Sequence, residues 1–66
     1  MNQFNLHFIQ KRRDDLNLTL KEMAEEFGMK NASNYSKYET GFYAFKAKDL
    51  PKLAIKLKCD VTNFFS

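Results

Sequence analysis

KNASNYSKYETG, residues 30–41, has the length of a short helix and little of a surface helix's usual cargo. Asn31 is a plausible cap and Gly41 a plausible stop, yet the residues between include Ser33, Asn34, Ser36, Lys37 and Thr40, with only Tyr35 and Tyr38 large and apolar. Wound as a helix, the segment puts Tyr35, Tyr38, Glu39 and Phe42 at i, i+3, i+4 and i+7, which predicts an inward stripe. The opposite face then carries Ser33, Ser36, Lys37 and Thr40 at the same spacing, with Ala32 and Asn34 at the helix start. That face has no acid and no bulk. It is either a solvated helix of low intrinsic propensity or a surface shaped to come close to a phosphate-lined groove, where Ser, Asn and Lys hydrogen-bond base edges or phosphates.

The flanking sequence shows the same period. Leu6, Ile9, Arg13 and Leu16 share a helical face that ends near Asn17, a residue tolerant of the left-handed conformation. Thr19 with Glu22 three residues on reads as a capping box, opening a helix of about nine residues in which Leu20, Met23, Ala24 and Phe27 face one way and Gly28 is the stop. After Gly41 the run FYAFKAK reads as a loop. A further stripe, Leu50, Leu53, Ala54 and Leu57, accommodates Pro51 only in a first turn, so this helix is expected to start near Lys48 or Asp49. Asp60 caps a last short turn with Val61, Phe64 and Phe65 pointing inward. No repeat or linker divides the chain. The expectation is one domain over residues 1–66, an all-α orthogonal bundle of five helices with short connections.

Two charges fall on apolar faces: Arg13 in the first helix and Glu39 in the third. Burying either alone costs several kcal/mol, roughly, so mutual pairing is the cheapest arrangement. If they pair, the first and third helices touch, and the second and third, joined only by GMKN, cross steeply, which is a helix-turn-helix.

Bulk properties agree and exclude other classes. With 66 residues, 44% hydrophobic and 15% aromatic, the chain lies near the lower limit for a single core, and two glycines and one proline argue against disorder. One cysteine, Cys59, forms no internal disulfide, and one histidine, His7, offers no zinc-ligand spacing, so no metal or other cofactor is expected. The longest apolar run is too short to span a bilayer and MNQFNLHF lacks the features of a signal peptide, so a cytoplasmic protein is expected. The net charge is +3, distributed unevenly: residues 27–66 carry seven lysines against Glu39, Asp49 and Asp60. That excess suits a polyanion partner and is nearly as well explained by an ordinary basic surface. With no Gly-rich phosphate loop and no acidic or cysteine partner for His7, an enzyme is not expected.

Residue by residue, the chain resembles the phage-repressor helix-turn-helix domains, the Cro/cI-type or XRE-like family. The likeness runs from Ile9 to Phe65: Ile9 and Arg13, Leu18-Thr19, Met23-Ala24, Phe27-Gly28, Tyr35-Ser36, Tyr38, "ETG" for the family's E-x-G, Leu50, Leu53, Ala54, Leu57, then Val61, Phe64 and Phe65. The resemblance implies a compact five-helix lambda-repressor-like DNA-binding domain whose third helix enters the major groove, with an Arg–Glu pair like Arg13 and Glu39 tying it to the first. It places base contacts at Ala32, Ser33, Asn34, Ser36 and Lys37, and phosphate contacts at Thr19, Lys21, Asn31, Thr40, Tyr43 and Lys46.

Four positions depart from the family pattern. Leu20 stands where a Gln is common, and Lys58 stands where a Gly usually follows the fourth helix. Between Gly28 and Glu39 there is one residue more than usual, placed at Lys30 in the turn; placed elsewhere, it shifts the recognition positions by one. The loop holding Phe42, Tyr43 and Phe45 is aromatic where relatives are mostly polar. Stripe position assigns Phe42 to the core, Phe45 fits core packing and a subunit contact equally, and Tyr43 and Phe45 are the candidates for a dimer interface. The function expected is that of a sequence-specific double-stranded DNA-binding transcriptional regulator, a repressor acting as a homodimer on a palindromic operator, with no small-molecule ligand. The rival is a protein-interaction module, antitoxin-like or anti-repressor, that uses the aromatic loop.

Overall fold

The computed structural model describes residues 4–65. Among them are four α-helices and no strand: α1 (Leu6–Asp15), α2 (Leu20–Glu26), α3 (Ala32–Glu39) and α4 (Leu50–Lys56). Two single turns of 3-10 helix, Ala47–Asp49 and Val61–Phe64, complete the secondary structure. The expected fifth helix is thus one 3-10 turn, because its four residues are too few to build successive i→i−4 bonds. The loop expected over FYAFKAK likewise tightens into a 3-10 turn before Pro51 enters the first turn of α4.

Local chemistry sets each boundary. The Asn5 side chain accepts from the Phe8 N–H to open α1, and Asn17 closes it at φ +58°. Thr19 and Glu22 exchange both bonds of the capping box at the start of α2. That helix runs seven residues where about nine were expected, since Phe27 already leaves the helical pattern and Gly28 turns at φ +69°. Lys58 adopts φ +53°, the backbone a Gly would take, so the end of α4 keeps its left-handed geometry without one.

The core is Ile9, Met23, Ala24, Tyr35, Leu53, Ala54, Leu57 and Phe64, drawn from the four α-helices, the residue that follows α4 and the last 3-10 turn. Packing places α2 on α3, α1 against α3 and the last turn, and α4 against both 3-10 turns. Backbone contacts close the chain on itself, with the Asn5 N–H donating to the Phe64 carbonyl at 2.6 Å. Two α1 side chains lock distant segments: Arg12 donates to the carbonyls of Leu57 and Lys58, covering the end of α4, and Gln10 donates to the Glu39 carbonyl at the end of α3.

Phe42 is not a core residue. It is 72% exposed, because α3 stops at Glu39 and Gly41, at φ +89°, turns the chain before the helical period reaches Phe42. Phe45 fills the place instead, its ring within 6.4 Å of those of Phe4, Phe27, Tyr35 and Tyr38.

Candidate nucleic-acid interface

Arg13 and Glu39 set the orientation of α3. The Arg13 Nε donates to Glu39 Oε2 at 2.8 Å, with the Arg side chain 15% and the Glu side chain 4% exposed. The Nη1 of the same guanidinium donates to the Leu18 carbonyl at 3.0 Å and meets Asp14 at 3.3 Å, so the charge has acceptors besides Glu39. Gln10 fixes the backbone of the residue whose side chain Arg13 holds. Tyr35 lies fully buried beside this pair. Its hydroxyl completes no hydrogen bond of good geometry, and burial, followed by the neighbouring Glu39, pushes the phenol well above its usual range.

With Tyr35 and Glu39 turned inward, the opposite face of α3 is left to solvent. Ser33, Asn34 and Lys37 are exposed, as is Thr40 at the helix end, while Ala32 and Ser36 are half-buried along its flank. No carboxylate lies within this set. Asn31, an exposed residue, caps the helix, its Oδ1 accepting from the Asn34 N–H at 2.9 Å, and its side-chain amide also carries an NH2 donor. Lys30 sits in the turn between α2 and α3, exposed, outside both helices.

The residues of the expected phosphate set border this face unequally. Thr40 donates its hydroxyl to the Lys37 carbonyl at 3.3 Å, and Lys46 is exposed at the head of the 3-10 turn. Lys21 is exposed on α2. Thr19 is different: its hydroxyl oxygen caps the Glu22 N–H, while the Glu22 carboxylate takes the Thr19 N–H, and that backbone N–H, followed by the Thr19 hydroxyl, holds the Glu22 carboxyl below its usual range. A carboxylate thus already occupies the helix end that an incoming phosphate would use. Leu20, in place of the Gln common in relatives, packs against the core.

Sequence reasoning did not identify Gln10 or Arg12, because a polar residue on a helix flank carries no periodic signal of the carbonyl it reaches. Nor did it identify the grouping at the end of α3. There the Lys37 ammonium lies 5.7 Å from the Phe42 ring centre and 5.8 Å from that of Tyr43. Tyr43 is 41% exposed and rests on Tyr38.

Residues 9–64 match the family model described as Helix-turn-helix, from the middle of α1 to the last 3-10 turn. The chain belongs to this family, in its XRE-type, Cro/cI-like form, a family of DNA-binding transcription regulators. No curated protein and no solved structure matches it.

Proposed function

We propose that this chain is a sequence-specific regulator that reads double-stranded DNA through the outer face of α3, acting as a homodimeric repressor on a palindromic operator. The observation that carries this reading is the orientation of α3. Its one acid is spent on Arg13 in the interior, and Ser33, Asn34 and Lys37 are left on an exposed face free of negative charge. Such a face enters a major groove without repulsion and offers donors and acceptors to base edges. Ala32, Ser33, Asn34, Ser36 and Lys37 are assigned to bases. Lys21, Asn31, Thr40, Tyr43 and Lys46 are assigned to the backbone, with Thr19 a lesser contributor because Glu22 already engages it. We assign the 66 residues to one domain acting in the cytoplasm; no helix among the described residues is long and apolar enough to cross a membrane. One such domain covers one half-site, so two-fold pairing with half-sites roughly 34 Å apart supplies the affinity.

The exposure of Phe42 and Tyr43 favours one rival, a module that binds a protein through its aromatic loop. Phe45, engaged with four rings, is a poor subunit contact, and Tyr43 is the better candidate for one. Selection of bound duplexes from a random library separates the readings. An enriched palindrome, bound with an affinity that falls steeply as salt rises, supports the operator-binding dimer; no enrichment and no salt-dependent DNA affinity supports the rival.

A further inference from the structure

We infer that Phe42, with Tyr43, is a positioning residue for Lys37: the two rings fix the direction of its ammonium and thereby select which base pair of the half-site it meets. The inference rests on the DNA-reading role of α3 proposed above.

The arrangement is built outward from the core. Phe45 packs between Tyr35 and Tyr38, Tyr38 supports Tyr43 at 5.4 Å, and Tyr43 meets Phe42 nearly edge-on at 5.0 Å. The loop is tied to the residue it serves, since the Tyr43 N–H donates to the Lys37 carbonyl at 3.1 Å. Gly41 makes this return possible at φ +89°. Lys37 has no ion-pair partner among the described residues. Its ammonium lies instead over both rings, at distances where the negative face of an aromatic ring attracts a cation.

Direction is the consequence. Side chains on an α-helix lean toward its N-terminus, which for Lys37 means toward Ser33 and Asn34. The rings that hold its ammonium follow it in the chain, so the charge is drawn to the C-terminal end of α3. A lysine has four rotatable bonds and reaches many positions when free; held at two rings it presents one donor set at one edge of the recognition surface. The turn at Gly41 that keeps the Phe42 ring out of the core leaves it exposed beside the Lys37 ammonium, where it serves this role.

The test uses the whole chain as wild type, Phe42→Ala, Phe42→Trp, Lys37→Ala and the double Phe42→Ala/Lys37→Ala variant. In the free protein, ring currents shift the ε-methylene protons of Lys37 upfield; Phe42→Ala reduces that shift and Phe42→Trp keeps it. In selections from random duplexes, Phe42→Ala relaxes the same base-pair position as Lys37→Ala and weakens the selected site about two- to fivefold, the range expected for an exposed cation–π contact. It has no further effect in the Lys37→Ala background, and Phe42→Trp restores the preference. A Phe42→Ala selection identical to wild type, an effect that persists without Lys37, or an unshifted Lys37 methylene overturns the inference and leaves the role of α3 standing. A wild-type protein that enriches no duplex overturns both.

Discussion

Arg13 and Glu39 are unequal partners, and the difference is measurable. Glu39 is nearly sealed from solvent, whereas Arg13 retains a solvent edge and has Asp14 at 3.3 Å and the Leu18 carbonyl at 3.0 Å to fall back on. Removing Arg13 therefore strands a buried carboxylate, and Arg13→Ala is expected to cost about 3–5 kcal/mol in urea unfolding. Glu39→Ala costs less, because the guanidinium moves to acceptors it already meets; equal losses would show that the two charges are equally trapped. Tyr35 provides a second test. Its phenol is raised above the ordinary 10.0, so the neutral form is the one the fold prefers. The stabilisation this represents is complete below pH 10 and is lost as pH rises beyond it, by about 1.4 kcal/mol per pH unit from this one group. Tyr35→Phe removes a hydroxyl that completes no hydrogen bond, so it is expected to leave stability at pH 7 unchanged or higher and to abolish this alkaline loss. Unfolding at pH 7 and pH 11 checks both halves.

At the scale of elements, helix ends decide how the pieces meet. Lys58 ends α4 at φ +53°, where an L side chain crowds its own carbonyl by about 1–2 kcal/mol. Lys58→Gly is expected to raise the urea midpoint modestly, part of the gain being offset by the looser unfolded chain, and Lys58→Val to lower it; a lowered midpoint in Lys58→Gly would mean the lysine makes a contact that outweighs the strain. The same ends explain how much was legible in the sequence. The caps at Asn31 and Thr19, the stops at Asn17 and Gly28, and the apolar faces of α1, α2 and α4 were readable because each is a local pattern of period or of side-chain hydrogen bonding. Phe42 was misassigned because its stripe position presumes that the helix continues, and Gly41 ends that presumption. The packing of Phe45 against the core, the reach of Gln10 and Arg12 to other helices, and the rings over Lys37 are all tertiary contacts from loops or flanks, where spacing along the chain carries no information. On the outer face of α3, the exposure of Ser33, Lys37 and Thr40 followed from the stripe, while Ser36 on the same stripe is half-buried, and the carboxylate at the head of α2 changes the value of Thr19 in a way that only the closed capping box reveals.

As a whole, the molecule is a small core that aims one helix. Arg13 and Gln10 from α1 hold the end of α3, α2 packs along it, and Phe45 seals the loop that follows, so the orientation of the outer face depends on most of the chain. Whatever rotates α3 about its axis turns Glu39 and Tyr35 outward in place of Ser33, Asn34 and Lys37. The most direct test leaves the fold alone and changes only the sign of the face. Ser33 is exposed in the first turn of α3, where a negative charge suits the helix end, so Ser33→Glu is expected to keep the wild-type melting temperature. Duplex binding measured by titration at low salt is expected to fall by at least tenfold in this variant, on random as well as selected sequence, as a carboxylate meets the phosphate-lined groove. A Ser33→Glu protein that melts and binds DNA like the wild type would contradict the claim that this face meets the double helix.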